Sequence, residues 1–373
     1  MSEEEGLEAQ VTRQWVSAPG GSCDVRMGHG VVETCGSILR TAVGKPRVAA
    51  LLCEDGVSDE RRELLRRELT DAGFAVEARL LAAGANARTL DFVSELMVWL
   101  GEKGVTSDDL VVAIGGVDSL SCAAQACSLW CAGVPLAAIP VDLDAMVEVA
   151  VTPRGIAVGE SDDMARSNAF CRYLLCDPDL MECGLSDERT RLALALMASS
   201  ATAENEKSFS RLWDRAPEIM EGDVDVLMEQ AVDTLKTRGR LVSSTALAVK
   251  QSVTYGRDFV RGLRPLLDDG VSVADLMAEG LRFAARLSCG MGKLSVDDVL
   301  TQDELLDRLG FGFVEASVEP ERVIKSLKGD QFKRSNRFFV AVPQAIGRVR
   351  LASADDELLN EHVSAWCEAH RAD

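Results

Sequence analysis

Through the first half of the chain, short unbroken apolar runs alternate with stretches whose apolar residues recur every third or fourth position. RVAALLC (Arg47–Cys53), FAVEARLL (Phe74–Leu81), LVVAIGG (Leu110–Gly116) and VPLAAIP (Val134–Pro140) have the length and composition of buried strands. Between them, DERRELLRREL (Asp59–Leu69) spaces its leucines along one helix face, and TLDFVSELMVWLGEKG (Thr89–Gly104) ends on a glycine suited to a C-cap. Ser119–Ala132 reads as a helix of small residues. Strand, helix and strand joined by short connections predict parallel βαβ units, hence an α/β, Rossmann-like domain over residues 21–184. Residues 1–20 are set apart as an acidic N-terminal segment. Beyond about Leu185 the pattern predicts helices at Arg189–Ala203, Asp223–Lys236, Leu241–Gln251, Val271–Leu287 and Thr301–Leu309, with one short strand at Arg337–Val342. Residues 185–373 are therefore expected to form a helical domain that packs on the first and leaves a cleft.

Charge narrows the partners. The 373 residues include 60 acids against 40 bases, a formal net charge of −20. Nucleic-acid binders need a basic surface to replace counterions, so no nucleic acid is expected as partner. Anionic membrane surfaces are disfavoured for the same reason, and no uncharged apolar run reaches the roughly 18 residues of a spanning helix. The opening MSEEEGLEAQ lacks the apolar core of a secretion signal, which predicts a cytoplasmic protein.

The rarest chemistry-bearing residue excludes most mechanisms. The only histidines are His29, His362 and His370, so a histidine base, a Cys–His pair or a two-histidine metal site is excluded from the body of the chain. The last two fall where a frayed C-terminal helix is expected. Eleven scattered cysteines without a CxxC pair read as reduced core residues; even the densest group, Cys122, Cys127 and Cys131, is spread around a helix.

Gly115–Gly116 follow a buried strand and open a helix, which is where such a fold brings backbone N–H groups and a positive helix end close to a pyrophosphate. A tight strand-to-helix turn explains the pair equally well. Read in order, the chain resembles the 3-dehydroquinate synthase family of sugar-phosphate cyclases from about Asp24 to Leu351. The resemblance runs through VRMGHG (Val25–Gly30), LLCEDGV (Leu51–Val57), DDLVVAIGG (Asp108–Gly116), AGVPLAAIPVDLDAMVEVAV (Ala132–Val151), LLCDPDL (Leu174–Leu180) and YGRDFVRGLR (Tyr255–Arg264). It closes with LKGDQFKRSNRFFVAVPQAIGRV (Leu327–Val349). The resemblance implies an NAD-binding N-terminal domain, a helical metal-binding C-terminal domain, an active site between them and a homodimer. It also implies a lyase of the shikimate pathway of aromatic amino acid biosynthesis. Such a lyase turns a seven-carbon keto-acid phosphate into 3-dehydroquinate, with bound NAD as transient oxidant and a divalent metal, typically zinc.

Residue by residue, the chain departs from that pattern. The positions of the family's metal-binding glutamate and two histidines hold Leu196, Arg257 and Val273, with Arg261 at the further histidine of the GHxxGH run. Leucine and valine have no donor atom and arginine is cationic, so zinc or another divalent metal is not expected at the family site. In the cofactor loop the third glycine is Val117, the aspartate is Ser121, and the paired threonines are Val141 and Asp142. Ala132 stands for a substrate arginine, Pro153–Arg154 for a glycine–lysine turn, and Asp162 and Asp163 for a lysine–asparagine pair. By resemblance the candidates for NAD are Glu54, Arg88, Gly115, Gly116 and Asp142, and those for catalysis are Lys236, Lys250 and Arg154. Arg257, Arg261 and Glu148 are the candidates for substrate or anion binding. Lys236 and Lys250 read equally as solvated helix lysines.

Three functions are consistent with these residues. One is a dehydroquinate-synthase-like pseudoenzyme, impaired in metal and NAD catalysis and kept as a binding or regulatory protein, for instance beside an active homologue. Another is a lyase that still eliminates phosphate by a metal-free route. The last is an anion-binding module for a small anionic metabolite, because Arg257, Arg261 and Arg264 share a helix face and could join Lys236, Lys250 and Arg154 around a carboxylate or phosphate. An exposed basic stripe paired with Asp258 and Asp268 fits that spacing as well. Asp142, Asp144 and Glu148 offer oxygen ligands suited to Mg2+ or Ca2+, or are simply solvated loop carboxylates.

Overall fold

The computed structural model describes residues 11–43, 47–268 and 270–371, and the acidic run of residues 1–10 lies outside the described residues. The chain divides after Cys183 into two compact units.

The first unit is built on a seven-stranded sheet. It opens with an antiparallel pair, β1 (Thr12–Ala18) and β2 (Gly21–Met27), followed by α1 (Cys35–Val43). Next come β3 (Val48–Glu54), α2 (Asp59–Asp71), β4 (Ala75–Leu81), α3 (Leu90–Glu102) and β5 (Leu110–Gly115). Then follow α4 (Val117–Leu129), β6 (Leu136–Pro140), α5 (Leu143–Val149), a small hairpin of β7 (Ile156–Val158) and β8 (Ser161–Ala165), and β9 (Tyr173–Cys176). The strand order is β1-β2-β9-β6-β5-β3-β4, and every pair except β1–β2 is parallel. This is the α/β Rossmann-like layout that the alternating pattern predicts. β3, β5 and β6 are buried almost throughout, because layers cover both faces of a parallel sheet; that is why they read as unbroken apolar runs.

β1 falls within the segment set apart as an acidic extension. It is instead an edge strand whose alternation sends Val16 and Ala18 into the core, at 1% and 3% exposure, while Trp15 faces out.

The second unit is helical. It contains α6 (Glu188–Glu204), α7 (Glu206–Met220), α8 (Val224–Val242), the single turn α9 (Leu247–Lys250) and α10 (Arg257–Leu263). It continues with α11 (Val273–Gly290), α12 (Val296–Arg308) and α13 (Pro320–Arg334), then a hairpin of β10 (Val340–Ala345) and β11 (Arg348–Ala352), and α14 (Asp356–Ala369). α6 is buried from Leu192 to Ala203, so small and apolar residues surround it with no polar face. The helix expected over Leu241–Gln251 is not continuous: α8 stops at a C-cap on Ser243, and only one turn reforms at Leu247. The expected strand at Arg337–Val342 begins at Val340 and gains a partner in β11.

The C-terminal histidines are not on a frayed end. His370 is 8% exposed, its ring stacks on Trp366 and Phe313, and its backbone carbonyl accepts from Ala316 at 2.7 Å. Among the described residues no helix is long and apolar enough to cross a membrane.

Candidate functional site

Chain order reverses beside β3: β4 lies on one side and β5 on the other. In open α/β sheets the carboxyl ends of strands at such a reversal are where ligands bind. The parallel register that pairs Cys53 with Ile114 carries Glu54, at the end of β3, alongside Gly115 and Gly116, where β5 turns into α4.

The space above this turn is taken by the chain's own carboxylates. The Gly116 amide donates to Glu54 Oε2 at 2.9 Å, and the Ser119 hydroxyl donates to the same oxygen. A Cβ built on Gly116 would lie 2.7 Å from Asp142 Oδ2 and 3.6 Å from Glu54 Oε2. Glycine is therefore accommodated here by two acidic side chains, with no phosphate needed to explain it. Of the residues expected to bind NAD, Glu54, Gly115, Gly116 and Asp142 are together and Arg88 is not, but the donor a pyrophosphate would use is engaged, and the nearest side-chain oxygens are anionic. A dinucleotide pyrophosphate does not fit this arrangement, because like charges at contact distance disfavour one another.

A second cluster begins at Asp118, two residues after Gly116 in the first turn of α4. Asp118 accepts from Arg88 Nε at 2.8 Å and lies 3.5 Å from Arg154 Nη1. Arg154 donates from Nε and Nη2 to Glu148 Oε2 at 2.9 and 2.8 Å, and its Nη2 reaches Asp144 Oδ2 at 3.5 Å. Arg88 pairs in addition with Asp162 at 2.9 Å. Glu148 and Asp144 are fully buried, which corrects their reading as solvated loop carboxylates: both lie on α5, and Arg154, a few residues on, neutralises them. Burial alone would lower the Arg154 pKa, but the charges of Glu148, Asp144 and Asp118 outweigh it and hold the guanidinium firmly protonated. Burial and the carboxylates of Asp162 and Asp118 oppose one another at Arg88 in the same way, again with a net upward shift. Of the predicted site residues, then, Arg88, Arg154 and Glu148 form one internal ion network. Sequence reasoning missed Asp118 as its bridge; a charged residue in the first turn of an otherwise small-residue helix was the available signal.

The remaining candidates lie in the helical unit. Lys236, on α8, is 3.6 Å from Asp233, an acid that also pairs with Arg211 and Arg215 at 2.8 and 2.9 Å. Lys250 closes α9 and is half-buried. Arg257 opens α10. Arg261 bonds Asp258 and lies 3.0 Å from Asp330, while Arg264 donates to the carbonyls of Asp268 and Val271 at 2.8 and 3.2 Å. Burial raises the Asp258 pKa despite the adjacent Arg261 charge. The basic stripe is thus tied to acids and carbonyls of its own surroundings. At the positions the resemblance assigns to the metal ligands, Leu196 is buried at 1% exposure, Arg257 begins a helix, and Val273, 37% exposed, follows the Ser272 N-cap of α11. These three residues do not fit a divalent metal.

No family model matches the chain. Its sequence is 21% identical over 349 residues to 3-dehydroquinate synthase of Corynebacterium jeikeium (strain K411), covering 92% of this chain and 94% of that one. It is 21% identical to the enzyme of the same name from Prochlorococcus marinus, covering 88% and 91%. Among solved structures, 2-deoxy-scyllo-inosose synthase complexed with carbaglucose-6-phosphate, NAD+ and Co2+ superposes with a TM-score of 0.80 at 14% identity, covering 95% of this chain and 99% of that one. The 2-epi-5-epi-valiolone synthase ValA from Streptomyces hygroscopicus, with NAD+ and Zn2+ bound, gives 0.75 at 16% identity, covering 93% and 97%. The fold is therefore the one these cyclases share. In sequence the chain is similar to 3-dehydroquinate synthases over most of its length, and in fold to the sugar-phosphate cyclases.

Proposed function

We propose that this chain is a dehydroquinate-synthase-like protein that no longer carries out metal- and NAD-dependent cyclisation and serves as a binding or regulatory protein. The observation that carries this reading is the hydrogen bond from the Gly116 amide to Glu54, with Asp142 closing over the same glycine. Where relatives hold NAD+ and Co2+ or Zn2+, this chain supplies carboxylates at the cofactor loop and Leu196, Arg257 and Val273 at the metal positions. Its Arg154 cannot turn a guanidinium toward a substrate phosphate without leaving Glu148 and Asp144 buried and uncompensated.

Calorimetric titration of metal-analysed protein with NAD, followed by an assay for phosphate release from the family's seven-carbon keto-acid phosphate, tests the proposal. The expected result is no NAD heat and no phosphate. NAD binding with zinc-independent turnover would restore the reading as a working lyase. The proposal includes self-association as a homodimer or pairing with an active homologue, and sedimentation of the chain alone and mixed with such a homologue distinguishes the two.

A further inference from the structure

A cavity of about 580 Å3 opens within the helical unit, bounded by α11, α12, the 311–313 segment and α14. That volume is within the roughly 300–1,000 Å3 typical of small-molecule sites. Its wall is aromatic. Phe313 stacks on His370 with ring centroids 4.4 Å apart, and His370 stacks on Trp366 at 4.2 Å, the planes within 13° and 18° of parallel. The stack is held from behind by one buried carboxylate: Glu279 Oε2 lies 2.9 Å from His370 Nε2 and accepts from Trp366 Nε1 at 3.2 Å. His370 Nδ1 is in turn 2.8 Å from the Trp366 carbonyl. His370 and Trp366 are fixed in this way and carry Phe313 at the end of the stack, so a ligand that packs against these rings meets a wall already largely ordered.

The rim carries both signs of charge. α11 presents Arg282 and Arg286 one turn apart, and α12 presents Asp303 and Asp307 with the same spacing. Arg286 is half exposed and pairs with Asp303 at 2.7 Å, whereas Asp307, paired with Arg282 at 2.7 Å, is 68% exposed. The His362 imidazole also lines the cavity, and among the described residues it has no hydrogen-bond partner.

We propose that this cavity binds a small planar aromatic molecule bearing both a carboxylate and an ammonium group. The ring lies along the Phe313–His370–Trp366 stack, the carboxylate meets the Arg286 guanidinium and the ammonium meets Asp307. A purely anionic aromatic would face the carboxylates of Asp303 and Asp307, and a purely cationic one the two guanidiniums; a zwitterion satisfies both sides of the rim. The inference uses residues of the helical unit alone and does not depend on the reading of the cofactor loop.

Calorimetric titration of the full chain with L-phenylalanine tests it, alongside benzoate, phenethylamine and L-leucine as probes lacking the ammonium, the carboxylate or the ring. Saturable binding of phenylalanine is expected, with each truncated probe weaker by about tenfold or more. Phe313→Ala, at a ring 60% exposed, should weaken phenylalanine binding about tenfold without moving the thermal midpoint, and Arg286→Gln should weaken it comparably. Absence of saturable binding up to about 10 mM phenylalanine overturns the proposal. So does equal affinity for all four probes, or binding indifferent to both substitutions.

Discussion

Glu54 Oε2 accepts the Gly116 amide at 2.9 Å, so a side chain from the end of one strand completes the N-terminus of the helix that follows its neighbour. Gly116 has no side chain with which to cap α4, and the carboxylate arriving from β3 both satisfies an otherwise orphaned N–H and complements the positive end of the helix dipole. The contact belongs to the stability of the unit as much as to its ligand preferences.

Glu54→Ala should therefore destabilise the protein by about 1 kcal/mol, the usual scale for losing a helix N-terminal acceptor. Glu54→Gln, which keeps an acceptor oxygen, should lose less. Urea denaturation read by circular dichroism separates the two, and an alanine variant as stable as the parent would show that the carboxylate does not cap the helix.

Removing the central cation of the α4–α5 network is expected to cost more. Arg154→Met leaves Glu148 and Asp144 buried without their counter-charge, a change on the order of 3–5 kcal/mol. Arg154→Lys keeps a charge but not the two-nitrogen contact with Glu148, and should fall between the parent and the methionine variant. Chemical denaturation at neutral pH measures both. The methionine deficit should shrink in acid, as the abandoned carboxylates protonate.

Acid sensitivity can be traced to Glu279. Burial works to raise its pKa, but the hydrogen bond with His370, the charge of Arg282 and the Trp366 donor prevail, and the net shift is downward. A carboxylate depressed in the folded state contributes stability that is fully present above its unfolded value, roughly pH 4.3, and is lost as pH falls through the folded value. Glu204, Asp233, Asp330 and Asp109 are shifted downward as well, so the thermal midpoint should drop on acidification below about pH 4. Glu279→Gln should be clearly less stable than the parent at pH 7 and approach it at pH 3. A gap that stays constant across thermal scans over this range would refute the linkage.

Two glycines in helices should respond in opposite directions. A Cβ on Gly280 of α11 would collide with the Gly256 carbonyl, a backbone atom that cannot swing aside, whereas one on Gly329 of α13 meets nothing within 4 Å. Gly280→Ala is expected to destabilise by about 1–3 kcal/mol or more. Gly329→Ala should stabilise by about 0.5–1 kcal/mol, through its better helix propensity and a less disordered unfolded chain. Thermal melts of the pair provide the comparison.

The central sheet was legible in the sequence because β3, β5 and β6 are apolar on both faces and end at turn residues. The edge strand β1 was not: TRQWVSA buries only alternate positions, and its charged neighbours made it look like part of an extension. α13 escaped notice for a related reason, since only Val323, Leu327 and Gln331 are buried among its many charged residues. At the site, the glycine pair was readable but its occupant was not. Glu54 lies 62 residues before Gly116 and meets it only through the β3–β5 register. Likewise, the partner that buries His370 is Glu279, 91 residues earlier, and nothing in local spacing announces it. The acids of α5 looked solvated because their countercharge follows them in a loop rather than on the same helix face.

The Arg88–Asp118–Arg154 chain of contacts also bears on inhibitor selectivity. A phosphonate mimic of a cyclase substrate gains its affinity from cations that await an anion, and here both guanidiniums already have theirs. On the function proposed above, such a compound added to a mixture with an active homologue would occupy the homologue and leave this chain free, so it would tell the two proteins apart.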